Sequence, residues 1–233
     1  MILRWWLFGG ALFLIGLVAM FPLHVAMDMS MSRQSLLSAR QVAGSVWSGR
    51  VGEAMLGEER LGTFDVSLRP LSLLTGGADV GIERIGGLDG PLVGTLALDD
   101  DSQGIRDMNG GIGVATLMAP LPVDRLLLTE ATILFDADRC VEASGTLGAE
   151  ASLGLLGLSR TLSGPLSCTS DGRLQADLTG GNETLTLIVN REGGYEAQFA
   201  IANAPPLIAS GLALAGFTLD GTTLRLTHQG PLR

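Results

Sequence analysis

The sequence lacks lysine altogether and contains only two histidines, His24 and His228. Schiff-base chemistry and phosphate-loop sites both require a lysine, so both are excluded. His24 lies near the end of an apolar N-terminal segment and His228 lies five residues from the C-terminus, so the two supply neither a zinc cluster nor a catalytic base. The sequence also has no G-x-S-x-G motif. We therefore expect no enzyme activity, no metal site and no cofactor.

Cysteine is also scarce, because Cys140 and Cys168 are the only two. An even pair in an exported chain is most simply a disulfide, and both residues fall in segments that we interpret as strands. In the chain-entropy description, closing a loop of about 29 residues stabilises the fold by about 3–4 kcal/mol. The alternative is two buried thiols. A catalytic cysteine would need a nearby histidine, which the sequence does not supply.

Positive charge and aromatic residues are both sparse. The formal net charge is −9, and 5% of the residues are aromatic. Because a nucleic-acid interface needs a positive patch, we expect no nucleic-acid partner. Five of the aromatic side chains lie in the N-terminal apolar segment, and the other six are scattered through the remaining chain. We interpret the scattered rings as core residues rather than as stacking platforms for sugars or nucleotides.

The N-terminal segment from Trp5 to Met27 contains no acidic or basic residue and follows only residues 1–4. About 20 apolar residues suffice for a helix to cross the hydrocarbon layer, so the segment predicts a transmembrane anchor. Its aromatic residues are Trp5, Trp6, Phe8, Phe13 and Phe21. A cleaved signal peptide is the alternative, but the segment is longer than a signal core and no small-x-small cleavage site follows it. We expect residues 1–4 in the cytoplasm and the C-terminal part in the periplasm.

The chain after the anchor divides into two parts by composition. Residues 28–41 fit a juxtamembrane helix or linker, whereas residues 42–233 alternate between apolar and polar side chains over short stretches. Such alternation is typical of half-buried antiparallel strands. The clearest examples are 61–68, 173–178, 195–201 and 223–228. We therefore expect one periplasmic β domain over residues 42–233.

Glycine-containing dipeptides separate these stretches and predict hairpin turns. Asp-Gly and Asn-Gly pairs favour the positive φ of type I′ turns, and they begin at Asp89, Asn109, Asp171 and Asp220. About ten to fourteen strands fit between the turns. A sheet of this size buries one face only by curling or by pairing with a second sheet, so we expect a β-sandwich, a jelly-roll-like fold or an open curved β-trough.

Acidic residues cluster near position 100, where Asp99, Asp101, Gln103 and Gly104 match the early positions of a calcium loop. The twelfth position, which normally supplies a bidentate carboxylate, is Gly110. We therefore interpret residues 99–102 as an exposed hairpin tip rather than as a cation site.

Several motifs along the chain share their order and spacing with one known family. Gly44, Val46, Trp47 and Gly49 form a G-x-V-W-x-G segment soon after the anchor. The other matching segments are Leu61 to Leu74, which includes Pro70, then Cys140 to Gly145, and finally Leu162 to Gly172, which includes Gly164 and Cys168. Over most of its length the chain resembles type II secretion system protein N.

The resemblance implies a non-enzymatic accessory component of the machine that exports folded proteins across the outer membrane of Gram-negative bacteria. It implies a single-pass protein of the inner membrane with its β domain in the periplasm. The expected partners are other type II secretion components, of the inner-membrane platform or the outer-membrane channel, together with membrane lipid. A homo-oligomer is left open. Unpaired strand edges and the apolar sheet face are candidate docking surfaces.

Two other functions are compatible with the same strands. An anchored β-trough similar to AsmA proteins would bind or transfer lipid along an open apolar face, and alternation alone does not separate an empty groove from a filled core. An exported hydrolase would need acidic residues in a cleft, for which the concentrated set is Asp136, Asp138, Glu142 and Glu150. Alternation more simply puts Asp136 and Asp138 on a solvated face.

Overall fold

The strands of the domain form one continuous antiparallel sheet. The computed structural model describes residues 9–10, 13, 16–30, 37–87, 89–99, 101–153, 158–191, 193–204, 210–213 and 216–231. Within these residues the strands are β1 Leu37–Ser38, β2 Gln41–Ser45, β3 Ser48–Leu56, β4 Glu59–Leu68, β5 Gly77–Gly86, β6 Leu92–Asp99, β7 Gln103–Gly113, β8 Val123–Asp136, β9 Arg139–Leu153, β10 Leu158–Cys168, β11 Leu174–Gly180, β12 Glu183–Val189, β13 Gly194–Ala202, β14 Thr218–Asp220 and β15 Thr223–Pro231.

Strands that follow one another in the sequence are mostly neighbours in the sheet. The order is β1-β3-β4-β5-β6-β7-β8-β9-β10-β11-β12-β13-β15-β14, and β2 pairs with β3. Such a meander needs only short connections, which the glycine-containing turns provide. The predicted mainly β class is confirmed, and the strands join in a single open sheet.

Helical residues in the described part of the chain lie mainly near the N-terminus. Residues 9–10, 13 and 16–19 are helical, Met20 lies in a turn, and α1 covers Leu23–Ser30. A single 3₁₀ turn follows β4 at Ser72–Thr75. Among the described residues no helix combines the length and the apolar character needed to cross a bilayer. Of the predicted anchor aromatics, Trp5, Trp6 and Phe8 lie outside the described residues, Phe13 is exposed and Phe21 is half-buried.

The predicted alternation matches the burial pattern most clearly in β13. Tyr195, Ala197, Phe199 and Ile201 are buried there, while Glu196 between the first two is exposed. Because successive side chains on a strand point to opposite faces, this pattern puts one face of the sheet into the core. The same holds in β11 and β15, whose buried side chains are Ala176, Leu178, Leu224 and Leu226.

The sheet curls over its own buried face, and that side is filled with side chains. The largest side chains less than 2% exposed are Phe199, Leu162, Leu178, Leu185, Leu224 and Val123. The segment between β7 and β8 adds buried Val114, Met118 and Leu121. The hydroxyl of Tyr195 on β13 donates to the carbonyl of Leu117 in this segment at 3.3 Å, although β13 lies six strands from β7 in the sheet order.

One predicted turn is wrong. Asn109 and Gly110 lie inside β7, where Gly110 has a φ of +132° and the register to β8 shifts between Met108 and Gly110. The positive φ of glycine is used here for a β-bulge instead of a hairpin. At this bulge the Asn109 side chain links the two strands, because its Oδ1 accepts a hydrogen bond from the Glu130 amide on β8 at 2.9 Å.

The two cysteines form a disulfide that joins neighbouring strands. Cys140 lies near the start of β9 and Cys168 ends β10, and their Cα atoms are 5.5 Å apart. The Cys140 amide also donates to the carbonyl of Gly172, in the turn that follows β10, at 2.7 Å. The disulfide therefore holds the β10 to β11 turn against β9.

Candidate functional site

The N-terminal segment joins the sheet through backbone hydrogen bonds at one end of β2, β3 and β4. Pro22 forms an antiparallel bridge with Ser45. The Val46 amide donates to the carbonyl of Phe21 at 3.0 Å, and the Val46 carbonyl accepts from the Leu68 amide at 2.9 Å. We call residues 16–23, the β2 to β3 hairpin (41–56) and Leu68 the junction. These backbone bonds hold Phe21 and Pro22 directly against the sheet.

Trp47 adds a side-chain contact to the junction. It lies in the two-residue turn between β2 and β3, and its indole Nε1 donates to the carbonyl of Val18 at 2.9 Å. Val18 precedes the turn at Met20, so the indole captures a carbonyl near the end of the first helical stretch. Carbonyls at a helix C-terminus need partners from outside the helix, and Trp47 provides one.

Two glycines of the G-x-V-W-x-G segment make room for this packing. Gly44 has a φ of +91°, and a Cβ there would meet the carbonyl oxygen of Ser48 at 2.6 Å. At Gly49 a Cβ would meet the Leu23 side chain of α1 at 2.5 Å. Leu23 is buried, so it occupies the space that a side chain at Gly49 would take. The segment therefore has a local structural role in seating α1 on β3.

The outer face of the junction carries a charged pair. Arg50 on β3 donates to both carboxylate oxygens of Asp65 on β4, at 2.7 and 3.2 Å. These hydrogen bonds lower the pKa of Asp65 from its usual range. Both side chains are exposed, so the pair sets the charge of the surface more than it stabilises the fold. It borders an open depression of about 590 Å³ that also reaches Gly44, Arg69 and Glu83.

Leu68 leads directly from the junction into a turn with outward-facing leucines. Leu71, Leu73 and Leu74 are 76%, 46% and 83% exposed. Ser72 fixes the turn, because its hydroxyl donates to the Arg69 carbonyl at 2.7 Å and accepts from the Asp79 amide at 2.9 Å. We call residues 71–74 the leucine turn. Pro70, from the second predicted motif, opens it.

Sequence reasoning missed a buried arginine close to the junction. Arg84 on β5 is 5% exposed, its guanidinium lies 5.4 Å from the ring centre of Phe64, and one of its nitrogens donates to the carbonyl of Gly111 at 2.8 Å. Burial lowers the pKa of Arg84. Arg84 occupies an apolar-face position in β5, two residues after Ile82, and an arginine is rarely expected at a core position.

The remaining predicted site residues lie away from the junction. Gly164 is in β10, where a Cβ would overlap the carbonyl of Asp177 on β11, so its role is close strand packing. The candidate hydrolase acids are divided between the two ends of the β8 to β9 pair, since Asp136 faces Arg139 and Glu150 faces Arg125 in the register. Among the residues that the structure describes, no three metal-ligating side chains converge.

The predicted hairpin tip at 99–102 lies between the end of β6 and the start of β7, and its residue 100 lies outside the described residues. Asp99 accepts a hydrogen bond from Arg106, and Arg106 also pairs with Asp79 at 2.9 Å. Asp99 is therefore held by a cation of the chain itself. These ion pairs hold β5, β6 and β7 together beside the leucine turn. The Ser72 hydroxyl of that turn accepts a hydrogen bond from the Asp79 amide.

One protein-family model matches most of the chain. The model of the type II secretion system (T2SS) protein N family matches residues 35–225, which include the hairpin of the junction, the leucine turn and both cysteines. No curated protein and no solved structure matches the chain. The matched region covers most of the sequence, from just before β1 to within β15. The chain belongs to the type II secretion system protein N family.

Proposed function

We propose that this protein is a non-catalytic scaffold of the type II secretion system. Its N-terminal segment holds it at the inner membrane, and its sheet stands in the periplasm, where it contacts other components of the machine. The family match over residues 35–225 is the observation that carries the proposal. The distribution of acidic side chains over the two ends of β8 and β9 agrees with a role other than hydrolysis.

The contacts at the junction support attachment of the domain at a membrane. The apolar segment from Trp5 to Met27 carries no charged side chain. It enters the sheet directly, through the bonds that Val18, Phe21 and Pro22 make with the hairpin. A domain fastened in this way keeps a fixed orientation to the membrane, which a scaffold between membrane and periplasmic components needs.

The packing of the sheet favours a scaffold over the alternative of a lipid-carrying trough. A trough would need an open apolar channel along the sheet, whereas six large side chains in the second part of the sheet are less than 2% exposed. The open depression at the junction is lined by glycines and charged groups such as Arg50, Asp65 and Glu83. Such a surface suits a protein partner of complementary charge better than acyl chains.

The tether can be tested by exchanging residues 1–15, which leaves the junction contacts of Val18 and Phe21 in place. One variant receives a cleavable signal peptide and is released into the periplasm. The matched variant receives an unrelated transmembrane helix. We expect both to accumulate to equal levels, and only the tethered variant to restore export of type II substrates in cells that lack the protein.

Equal restoration by the released variant would show that the membrane tether has no role in secretion. Failure of both variants at normal abundance would point to a specific requirement for the native residues 1–15. A scaffold role is contradicted outright if removing the whole protein leaves the export of every type II substrate unchanged.

A further inference from the structure

The leucine turn exposes a contiguous apolar surface that is unusual on a soluble domain. Leu71 and Leu74 are 76% and 83% exposed, and Leu73 between them is 46% exposed. Three leucines within four residues form a contiguous patch, unlike the single exposed apolar residues that are common on protein surfaces. A patch of this kind marks a place where the protein meets another apolar phase.

The turn is held in a fixed shape that directs the leucines outward. The Ser72 hydroxyl is engaged by the Arg69 carbonyl and the Asp79 amide, which turns this side chain toward the sheet. Gly76 closes the turn in the left-handed conformation, with a φ of +84°, and its amide donates to the Ser72 carbonyl. The leucines are therefore presented by a built turn whose one polar side chain is used internally.

The turn lies at the same end of the sheet as the entry of the N-terminal segment. Leu68, three residues before Leu71, donates to the Val46 carbonyl, and the Val46 amide donates to the Phe21 carbonyl. Two hydrogen bonds thus connect the base of the turn with the apolar segment. Trp47, an amphipathic side chain of the kind that is enriched at membrane interfaces, lies in the same turn as Val46.

The apolar segment is attached to the sheet close to the base of the leucine turn. The carbonyls of Val18 and Phe21 both accept hydrogen bonds from the turn between β2 and β3. Phe13, Leu17, Val18 and Met20 in the same segment are exposed apolar residues. A bilayer that takes up these side chains therefore lies next to the attached end of the sheet.

We propose that the leucine turn is a second membrane contact, which inserts Leu71, Leu73 and Leu74 into the outer interface of the inner membrane beside the N-terminal segment. The inference rests on the proposed tether and extends it, because two contacts fix the tilt of the domain. The occupant is lipid rather than protein because the patch lies at the end of the sheet to which the apolar segment is bonded. The net charge of −9 gives no attraction to anionic headgroups, so apolar side chains must supply the contact.

The experiment uses the full chain reconstituted in phosphatidylethanolamine and phosphatidylglycerol vesicles, without other proteins. The native cysteines are joined in a disulfide, so a single introduced cysteine can carry an environment-sensitive fluorophore. The variants are Leu71→Cys, Leu74→Cys, Phe13→Cys in the apolar segment, and Leu219→Cys in β14. Leu219 is 66% exposed and lies at the opposite edge of the sheet order, so it is the matched control.

We expect the fluorophore at positions 71 and 74 to shift to shorter emission wavelength and to be quenched by lipids with spin labels close to the headgroup. The fluorophore at position 219 should keep its aqueous emission. Because the replaced side chains are exposed, the thermal unfolding of each variant should equal that of the parent protein. Replacing both Leu71 and Leu74 by Ser should leave the lipid contact of position 13 intact.

The outcomes separate the inference from the proposed tether. Quenching at position 13 with aqueous emission at 71 and 74 overturns the second contact and leaves the tether standing. Aqueous emission at position 13 as well overturns both. Emission at 71 and 74 that shifts only when a second, unlabelled copy of the protein is added, and not with lipid, identifies a protein contact and overturns the inference.

Discussion

The first half of the sheet, β1 to β7, differs from the second half, β8 to β15, in how much it buries. In β13 four of nine residues are buried, whereas in β5 the one buried residue of ten is Arg84. The six large side chains that are less than 2% exposed all lie in the second half, and so does the disulfide. The junction and the leucine turn lie in the first half.

This difference indicates that the two halves of one continuous sheet have different roles. Burial of apolar side chains is the main source of stability, so the second half holds the fold together. The first half leaves its apolar and charged groups accessible, which is what contact with a membrane and with partners requires. Because the two halves share one hydrogen-bonded sheet, the stable half can fix the position of the interacting half.

The largest effect is expected when equal side chains are truncated in the two halves. Leu185 in β12 is fully buried and Leu96 in β6 is half-buried. We expect Leu185→Ala to lower the free energy of unfolding by about 3–5 kcal/mol, and Leu96→Ala by about 1–2 kcal/mol. Urea unfolding of the two purified variants measures both values. Equal losses would remove the distinction between the halves.

Removing the disulfide should act mainly on the second half. The Cys140→Ala, Cys168→Ala double variant should lose about 2–4 kcal/mol of unfolding free energy, because the unfolded chain regains the freedom of a long loop. Lower protein abundance in cells should follow before any specific contact is lost. Thermal unfolding at the parent temperature would contradict a stabilising role for the disulfide.

A bulky residue at Gly49 should loosen the junction while the second half stays intact. A Cβ there would meet the Leu23 side chain and the backbone oxygens of Ser45 and Ala43, so Gly49→Val should displace α1 and strain the hairpin, at a cost of about 1–3 kcal/mol. Limited proteolysis should cut residues 16–30 faster, without new cuts in β8 to β15. Gly86→Val is the matched control, because no atom lies within 4 Å of a Cβ at that position. Equal cleavage of both variants would argue against the packing of Leu23 on Gly49.

The smallest effect is expected from the exposed pair on the first half. The hydrogen bonds from Arg50 lower the pKa of Asp65 in the folded state, so the ionised carboxylate favours folding. This contribution is present above the unfolded carboxyl pKa of about 4 and is lost as the pH falls through the lower folded value. Any excess in the free energy of unfolding of the parent protein over the Asp65→Asn variant should therefore shrink in acid. An excess that grows below pH ~4 would contradict a lowered pKa of Asp65 in the folded state.

The sequence allowed the strands of the second half to be predicted more accurately than the turns of the first. Alternation around Phe199 and Leu178 identifies strand and buried face together, because packing on one side of a sheet imposes a period of two. Asp171-Gly172 and Asp220-Gly221 are turns as expected. Asn109-Gly110 is a bulge, since a positive φ is required equally by a hairpin and by an irregular strand.

The junction was only partly predictable. The G-x-V-W-x-G segment marks a position of interest, but its partners are the backbone carbonyls of Val18 and Phe21, which carry no signal in the sequence. The outward direction of Leu71 and Leu74 depends on the hydrogen bonds of Ser72, and an apolar run alone is equally consistent with a buried turn. Long-range contacts to backbone carbonyls decide the first feature, and local hydrogen bonds of the Ser72 side chain decide the second.

Hydrogen exchange of the full chain in lipid nanodiscs tests the central claim most directly, namely that the N-terminal segment is hydrogen-bonded directly to the sheet. The Val46 amide lies in a tight turn, and its partner is the Phe21 carbonyl. We predict that this amide is protected to the same degree as neighbouring strand amides such as that of Leu68. Exchange at the rate of an unprotected turn amide would contradict the direct attachment.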